Sequence, residues 1–258
     1  NWLGDAVMAL PAVADLRRYA AGGRLVVASR ASTADLWAMV PGIDNVVPLV
    51  GVHGAGRAGA IRANVEAVRA ARADVAVVLP NSFQTALVAR RAGVAERWGY
   101  RRDFRGWLLT RAVPRPRGRV HQVDRYRRLV AAAGVENGAR EPRLTAPADA
   151  VDGARALLSE RGWTPGTRLL GLAPGAAYGG AKRWPPERFA SAAGDLARAH
   201  GLVPVLVGAE ADRPAACAVE AELGKINGPG RPARAIDVTG RTSLQQLAGV
   251  LAQCAAFV

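Results

Sequence analysis

Short apolar runs alternate along the chain with longer stretches in which apolar residues recur every three or four positions. The short runs predict β-strands and the longer stretches predict α-helices, an alternation that is typical of an α/β fold with parallel sheets. Thr242 or Ser243 is the expected N-cap of the last helix. The predicted strands are Arg24–Ala28, Asn45–Leu49, Asp74–Leu79, Arg168–Ala173, Val203–Val207 and Ala255–Val258, and the predicted helices are Ala6–Ala20, Ala60–Arg72, Ser82–Arg91, Gln122–Ala133, Pro147–Arg161, Pro186–His200 and Ser243–Ala252.

Residues 138–147 interrupt the alternation, because they show little periodicity and include two prolines. This stretch predicts a linker, so we expect two Rossmann-like domains, residues 1–147 and 148–258. The chain starts at Asn1 rather than at a methionine, in a pattern typical of a strand-to-helix turn, and it ends in a predicted strand. We therefore expect the first domain to lack its first strand and the second domain to be incomplete.

Composition narrows the class of protein. Half of the 258 residues are hydrophobic, yet no apolar run approaches the ~18–20 residues of a membrane-spanning helix. Because the first residues also lack the basic start of a signal peptide, we expect a cytoplasmic protein. The two cysteines and three histidines lack the spacing of metal ligands or of a disulfide framework, which argues against a zinc site and against disulfides.

The formal net charge of +14 indicates an anionic partner. Between Arg97 and Arg128, eleven arginines are interleaved with aromatic residues and only two acids. Nucleic acid, an anionic membrane surface and a phosphorylated substrate all fit this stretch, and so does a solvated arginine-rich face. The stretch carries no zinc-finger, RRM or basic-zipper signature, which argues against nucleic acid.

Residues 173–189 place a glycine-rich turn and Lys182 directly before a helix that starts with prolines. A helix N terminus and a lysine both favour an anion, so Gly175, Ala176 and Lys182 are candidates for binding a diphosphate. Lys182 is one of two lysines against 33 arginines, which adds weight to its position. An ordinary strand-loop-helix junction with a solvated lysine explains the pattern equally well.

Gly54, Gly56 and Gly59 also have the spacing of a dinucleotide-binding turn. Such a site needs an acid at the carboxyl end of the next strand, whereas Asp74 stands at the start of that strand. We therefore do not assign a nicotinamide nucleotide to this turn.

Polar side chains stand where ligands bind in parallel sheets, beside the carboxyl ends of strands. Asp5 follows a glycine in the turn before the first helix, where it could serve as a general base or cap the helix. Asn81 and Ser82 follow one predicted strand and Glu210 follows another. These three could contact a substrate, the glutamate through ribose hydroxyls, or they could cap the helices that come next.

Four blocks in this chain resemble, in their order and spacing, the lipopolysaccharide heptosyltransferases of glycosyltransferase family 9, and most of all the heptosyltransferase II branch. The resemblance extends over essentially the whole chain. The blocks are Asn1-Trp2-Leu3-Gly4-Asp5, Leu79-Pro80-Asn81-Ser82-Phe83 with Ala92-Gly93-Val94 and Trp98-Gly99-Tyr100 beyond it, Pro174-Gly175-Ala176 through Ala181-Lys182-Arg183-Trp184-Pro185, and Asp237-Val238-Thr239-Gly240-Arg241-Thr242.

The resemblance implies a GT-B fold, in which two Rossmann-like domains face each other across a cleft. It implies an inverting, metal-free transfer of heptose from ADP-heptose to a heptosylated Kdo–lipid A core, and in line with it we expect no cofactor. The N-terminal domain would bind the acceptor and the C-terminal domain the nucleotide sugar. A donor-contacting loop of the family would lie beyond Val258, and Ala177 and Gly180 depart from the acid and the proline common in the family.

The resemblance also implies residue roles. Asp5 takes the place of the catalytic base and Lys182 that of the lysine that stabilises the leaving diphosphate. The implied donor-binding residues are Gly175, Ala176, Lys182 and Glu210, and the implied acceptor-binding residues are Asn1, Trp2, Asn81, Ser82 and Arg101.

The implied setting is the cytoplasmic face of the inner membrane. There a monomer without nucleic-acid partners would touch the anionic membrane surface through residues 97–128. Two alternatives stay open. One is heptosyltransferase I or a related member with another acceptor, and the other is a non-catalytic module that binds nucleotides or polyanions.

Overall fold

The computed structural model describes residues 2–52, 54–176, 182–227 and 235–258. The chain divides into two compact units, Asn1–Thr145 and Ala146–Val258. The sequence had placed the domain boundary between residues 147 and 148.

The first unit alternates helices with short parallel strands. Its strands form two separate sheets, of order β1-β2 and β3-β4-β5. A Rossmann-like domain has one continuous sheet, and no strand among the described residues bonds to both β1 and β3. The elements are α1 (Leu3–Tyr19), β1 (Val26–Arg30), α2 (Ala34–Ala38), β2 (Asn45–Leu49), α3 (Arg57–Ala70), β3 (Val75–Val78), α4 (Phe83–Arg91), β4 (Glu96–Tyr100), β5 (Arg111–Val113) and α5 (Gln122–Ala132).

The second unit has one parallel sheet of order β8-β7-β6-β9 with helices on both faces. Alternate residues of the central strands point to opposite faces, so Leu170 and Leu206 pack in one buried cluster and Leu169 and Val205 in another. The elements are α6 (Ala148–Glu160), β6 (Leu169–Leu172), α7 (Pro186–His200), β7 (Val203–Leu206), α8 (Arg213–Asn227), β8 (Ile236–Asp237), α9 (Leu244–Ala252) and β9 (Cys254–Phe257).

A buried carboxylate ties the start of the predicted linker to the first unit. Asp15 of α1 is 1% exposed and accepts hydrogen bonds from the Arg18 guanidinium at 2.6 Å and from the Gly138 N–H at 2.9 Å. Arg127 of α5 approaches the same carboxylate at 3.5 Å and donates to the Gly138 carbonyl. The chain therefore leaves the first unit only after residue 138.

Candidate active site

Asp5 lies in the first turn of α1 and is half-buried. Its carboxylate accepts no hydrogen bond from the described part of the chain, and Trp2, the N-cap residue, makes no side-chain cap. Asp5 therefore does not cap α1 through a side-chain hydrogen bond within the described residues, so that prediction is wrong. Its negative charge in the first turn still interacts favourably with the helix dipole. Trp2 is 54% exposed, whereas Asn1 lies outside the described residues.

Tyr126 of α5 is a neighbour of Asp5 that sequence reasoning missed. It is 7% exposed, and burial raises the pKa of its hydroxyl above the usual value, with a smaller contribution from the negative charge of Asp5. A hydrogen bond with Gln122 acts in the opposite direction. Helical periodicity places Tyr126 on the buried face of α5, but nothing in the local sequence indicates which residue it meets.

Asn81 and Ser82 lie in the loop after β3. The Ser82 hydroxyl caps α4 by accepting a hydrogen bond from the Thr85 N–H at 3.4 Å, so the capping role is confirmed for Ser82. The Asn81 side-chain oxygen is buried and has no hydrogen-bond partner among the described residues. A buried acceptor without a donor is costly, and a ligand hydroxyl would satisfy it.

Arg101 stands at the carboxyl end of β4, next to the loop that holds Asn81. Its exposed side chain packs over Gly106, and its N–H donates to the Val113 carbonyl at 2.7 Å. Because β3 and β4 are parallel neighbours, both loops lie at the same edge of the sheet. The structure thus brings three of the candidate acceptor residues together.

Arg105 joins these two loops, and sequence reasoning did not single it out. Its side chain is fully buried and donates to the Tyr100 carbonyl at 3.0 Å, to the Ser82 carbonyl at 3.2 Å and to the Pro80 carbonyl. Burial lowers the pKa of this guanidinium. A planar group with five donors can bond several carbonyls at once, so one side chain holds the loop in place.

Several other arginines of the 97–128 stretch are structural as well. Arg97 donates to the Leu108 carbonyl at 2.7 Å. Arg111 donates to the Ala133 carbonyl at 2.8 Å and lies 4.7 Å from the ring centre of Trp98. The fold therefore holds these two arginines in place, so the stretch is not uniformly a partner-binding patch or a solvated face. The arginines that remain exposed are Arg101, Arg102, Arg111, Arg115, Arg117, Arg119 and Arg128.

Gly175 and Ala176 follow β6, at the carboxyl edge of the second unit's sheet. A Cβ atom on Gly175 would overlap the side chain of Asp212, so only glycine fits here. Asp212 accepts a hydrogen bond from the Ala209 N–H at 3.0 Å and fixes the loop after β7. Asp212 is a second residue that sequence reasoning missed, because its contact with Gly175 joins distant parts of the chain.

Glu210 comes after β7, as expected, but it has a partner. Its two carboxylate oxygens accept hydrogen bonds from Arg213 at 2.7 and 2.6 Å. These bonds hold the pKa of Glu210 below its usual range. Arg213 also donates to the Thr239 carbonyl at 3.0 Å, so Glu210 is an ionised, oriented acceptor.

Lys182 is exposed and stands just before α7. The N terminus of α7 provides fewer donors than expected, because Pro185 and Pro186 have no N–H. The N–H groups of Arg188 and Phe189 donate to the Pro185 carbonyl. The helix dipole and the lysine charge remain as attractions for an anion, while residues 177–181, including Ala177 and Gly180, lie outside the described residues.

Metal-ligand groups and membrane-spanning helices are not found among the described residues. This part of the chain contains no group of three or more His, Cys, Asp or Glu side chains that could hold a metal ion. None of its helices is long and apolar enough to cross a membrane.

Comparison with known proteins identifies similar sequences. The profile of glycosyltransferase family 9 (heptosyltransferase) matches residues 61–258. The whole chain is 30% identical to lipopolysaccharide heptosyltransferase 2 of Salmonella typhimurium and covers 74% of it. It is 29% identical to lipopolysaccharide heptosyltransferase 2 of Escherichia coli K12, again over the whole chain and 74% of the relative.

Solved structures give the same result. The structure of E. coli ADP-heptose LPS heptosyltransferase II matches the whole chain with a TM-score of 0.78 and 25% identity, over 76% of its own length. A family 9 glycosyltransferase from Veillonella parvula matches the whole chain and 72% of its own with a TM-score of 0.84. At 22% identity, this second likeness concerns the fold alone.

Proposed function

Because this chain belongs to glycosyltransferase family 9, we propose that it transfers heptose from ADP-heptose to the heptosylated inner core of lipopolysaccharide, with inversion at the anomeric carbon. It is a glycosyltransferase with the α/β units of the GT-B fold. The observation that carries the proposal is the match of the whole chain to heptosyltransferases of type 2.

Asp5 is the proposed general base. In an inverting transfer, an acceptor hydroxyl attacks the anomeric carbon while the bond to ADP breaks, and the hydroxyl proton moves to a carboxylate. The Asp5 carboxylate supports this role because it is half-buried and makes no hydrogen bond, within the described residues, that must break first. A positioned base contributes about 10²–10⁴-fold to the rate.

Lys182 is the proposed partner of the leaving diphosphate. ADP-heptose is already anionic at its diphosphate, and a further negative charge develops on ADP as the glycosidic bond breaks. A fixed cation therefore stabilises the transition state more than the less negative ground state. Gly175 and Ala176 would bind the donor through their backbone, since Gly175 has no room for a side chain. Glu210 would accept hydrogen bonds from the ribose through lone pairs that Arg213 leaves unused.

The acceptor side of the proposal rests on Trp2, Asn81, Ser82 and Arg101, with Asn1 outside the described residues. The unsatisfied Asn81 oxygen suits a sugar hydroxyl. The exposed Arg101 guanidinium suits a carboxylate or phosphate of the inner core. We place this reaction at the cytoplasmic face of the inner membrane.

The direct test incubates the protein in its complete natural form with ADP-heptose and one of two acceptors, heptosylated or unheptosylated Kdo–lipid A. We expect ADP release and a product heavier by one heptose with the heptosylated acceptor. Transfer only to the unheptosylated acceptor would indicate a type I enzyme. No ADP release with either acceptor would overturn the proposal.

Four variants test the residue roles, with ADP affinity and turnover measured separately. Asp5→Asn should keep ADP affinity and lose about 10²–10⁴-fold in kcat, whereas Lys182→Ala should lose ADP affinity and about 10²–10³-fold in kcat. The matched controls are Asp149→Asn, an exposed first-turn aspartate of α6, and Lys225→Ala, which removes the other lysine. Near-normal turnover of Asp5→Asn would reject Asp5 as the base.

A further inference from the structure

The loop after β4 holds an aromatic side chain in solvent. Phe104 is 94% exposed, although burial of such a side chain is strongly favourable. Both Asp103 and Phe104 have a left-handed backbone, with φ of 49° and 56°. Residues with a Cβ rarely adopt this conformation, so the chain accepts strain to present Phe104 at the tip of the loop.

Trp107 is a second exposed aromatic residue of the same loop. It is 64% exposed, and its ring contacts Phe83 at a centroid distance of 6.2 Å. The Arg90 guanidinium lies 4.8 Å from the centre of the Trp107 ring. Trp107 is therefore held from one side by α4 while its other side faces solvent.

Exposed cations surround these two aromatic residues. Arg101 and Arg102 stand in the loop itself, where Asp103 is the acid and lies 3.3 Å from Arg102. The loop after β5 adds three more exposed arginines, which make no hydrogen bond or ion pair within the part of the chain that the structure describes. These three are Arg115, Arg117 and Arg119. Since β4 and β5 are parallel, both loops lie at one edge of the sheet.

We infer that this edge, which we call the Phe104 edge (residues 101–107 and 114–119), docks onto an anionic lipid bilayer. Phe104 would enter the boundary between headgroups and acyl chains, and Trp107 would lie at the level of the headgroups. The exposed arginines would bind lipid phosphates. A protruding aromatic tip fits a soft surface better than nucleic acid, which needs stacking platforms along a groove.

Docking would also position the acceptor-binding loop, and this consequence depends on the proposed function. Arg105 bonds the Phe104 edge to the loop of Pro80–Ser82, where the acceptor is proposed to bind. Docking would therefore hold that loop next to the membrane in which a lipid-linked acceptor is anchored. The docking itself needs neither donor nor acceptor.

The test is co-sedimentation with vesicles of phosphatidylcholine alone or mixed with phosphatidylglycerol. Phe104→Asn removes the aromatic ring, and asparagine tolerates the left-handed backbone, so the variant should unfold at a temperature no lower than the parent. We expect its partitioning onto the anionic vesicles to fall about tenfold. Leu196→Ser, at an exposed apolar position of α7, is the control and should partition like the parent.

The charge contribution is tested by Arg117→Glu with Arg119→Glu. We expect at least a tenfold loss of partitioning, because each cation near an anionic surface strengthens binding about fivefold. The dependence of partitioning on salt should weaken but persist, since Arg101, Arg102 and Arg115 remain. The control with the same change of charge is Arg24→Glu with Arg143→Glu, two exposed arginines away from the edge. Unchanged partitioning of both the Phe104 and the Arg117/Arg119 variants would overturn the inference, as would binding to single-stranded DNA without binding to vesicles.

A final measurement separates this inference from the proposed function. Phe104→Asn should transfer heptose to a lipid-free acceptor at the parent's rate and lose rate with an acceptor embedded in vesicles. Absence of transfer by the parent would contradict the proposed function and leave the vesicle result standing. Equal loss of rate with both acceptors would contradict the docking role.

Discussion

Arg105 is a buried cation that forms no ion pair with the described residues. Its charge is balanced by carbonyl oxygens of two loops, those of Pro80 and Ser82 on one side and Tyr100 on the other. Ten to fourteen positions further along the chain, Arg115, Arg117 and Arg119 are exposed and have no partner in the described structure. The same residue type therefore has opposite roles, which depend on whether the chain folds over the side chain.

The role of Arg105 predicts a large effect of its removal. Arg105→Met keeps most of the volume but leaves several buried carbonyls without donors, so we expect a loss of about 3 kcal/mol or more in the free energy of unfolding. Arg105→Lys should lose less, since its amine still donates to some of these carbonyls. Urea unfolding measures both.

The control for Arg105 is Arg102→Met, an exposed neighbour that should change the free energy of unfolding by less than about 0.5 kcal/mol. Equal stability of the Arg102 and Arg105 variants would contradict the loop-holding role.

At the scale of elements, local patterns predicted some helices and strands to the residue. Pro186–His200 and Asn45–Leu49 agree with α7 and β2, and the other predicted elements are shifted by a few residues. Proline in the first turn and Gly201 in a left-handed C-cap explain the sharp limits of α7. By contrast, β4 and β5 were missed because their arginines conceal the apolar alternation.

The predicted cap of α9 is confirmed and can be tested. Ser243 accepts a hydrogen bond from the Gln246 N–H at 3.1 Å, and the Gln246 side chain accepts one from the Ser243 N–H at 3.0 Å. Ser243→Ala removes one half of this capping box and should cost about 1 kcal/mol of stability in urea unfolding. Ser159→Ala, at an exposed position in the last turn of α6, should cost nothing measurable, and an equal effect of both would contradict the prediction.

At the scale of the whole molecule, each unit has a hydrophobic core of its own. Leu129 of α5 belongs to the buried residues of the first unit and Leu170 of β6 to those of the second, and both are 0% exposed. Separate cores allow separate cooperative unfolding. If the two units are separate domains, as the linker pattern predicts, each should unfold in its own thermal transition, which calorimetry can test.

We expect two thermal transitions. Leu170→Ala should lower one of them and Leu129→Ala the other, each through a loss of about 2–5 kcal/mol in its own unit. Differential scanning calorimetry of the two variants distinguishes separate unfolding of the units from joint unfolding. A single transition that is shifted by either substitution would show that the units unfold together.

The candidate site was predictable in part. Six site residues could be chosen from the sequence, because a strand end or a turn can be recognised from a few neighbouring residues. They are Asp5, Asn81, Ser82, Gly175, Lys182 and Glu210. Tyr126 and Asp212 were not predicted, because no local pattern indicates that the charge of Asp5 acts on Tyr126 or that Asp212 lies against Gly175. The engagement of Glu210 by Arg213 was also not expected.

Most of the helices and strands, the α/β class and the family resemblance followed from the chain alone, because periodicity, caps and motifs act over short spans of sequence. The elements α2, β4 and β5 did not, nor did the extent of α8. The partners of the charged side chains could not be predicted from the sequence alone. Arg105 bonds Pro80 across 25 positions and Asp15 bonds Gly138 across 123. Such pairs form only when folding brings distant segments side by side, and burial then makes an unmade hydrogen bond costly enough to select one partner.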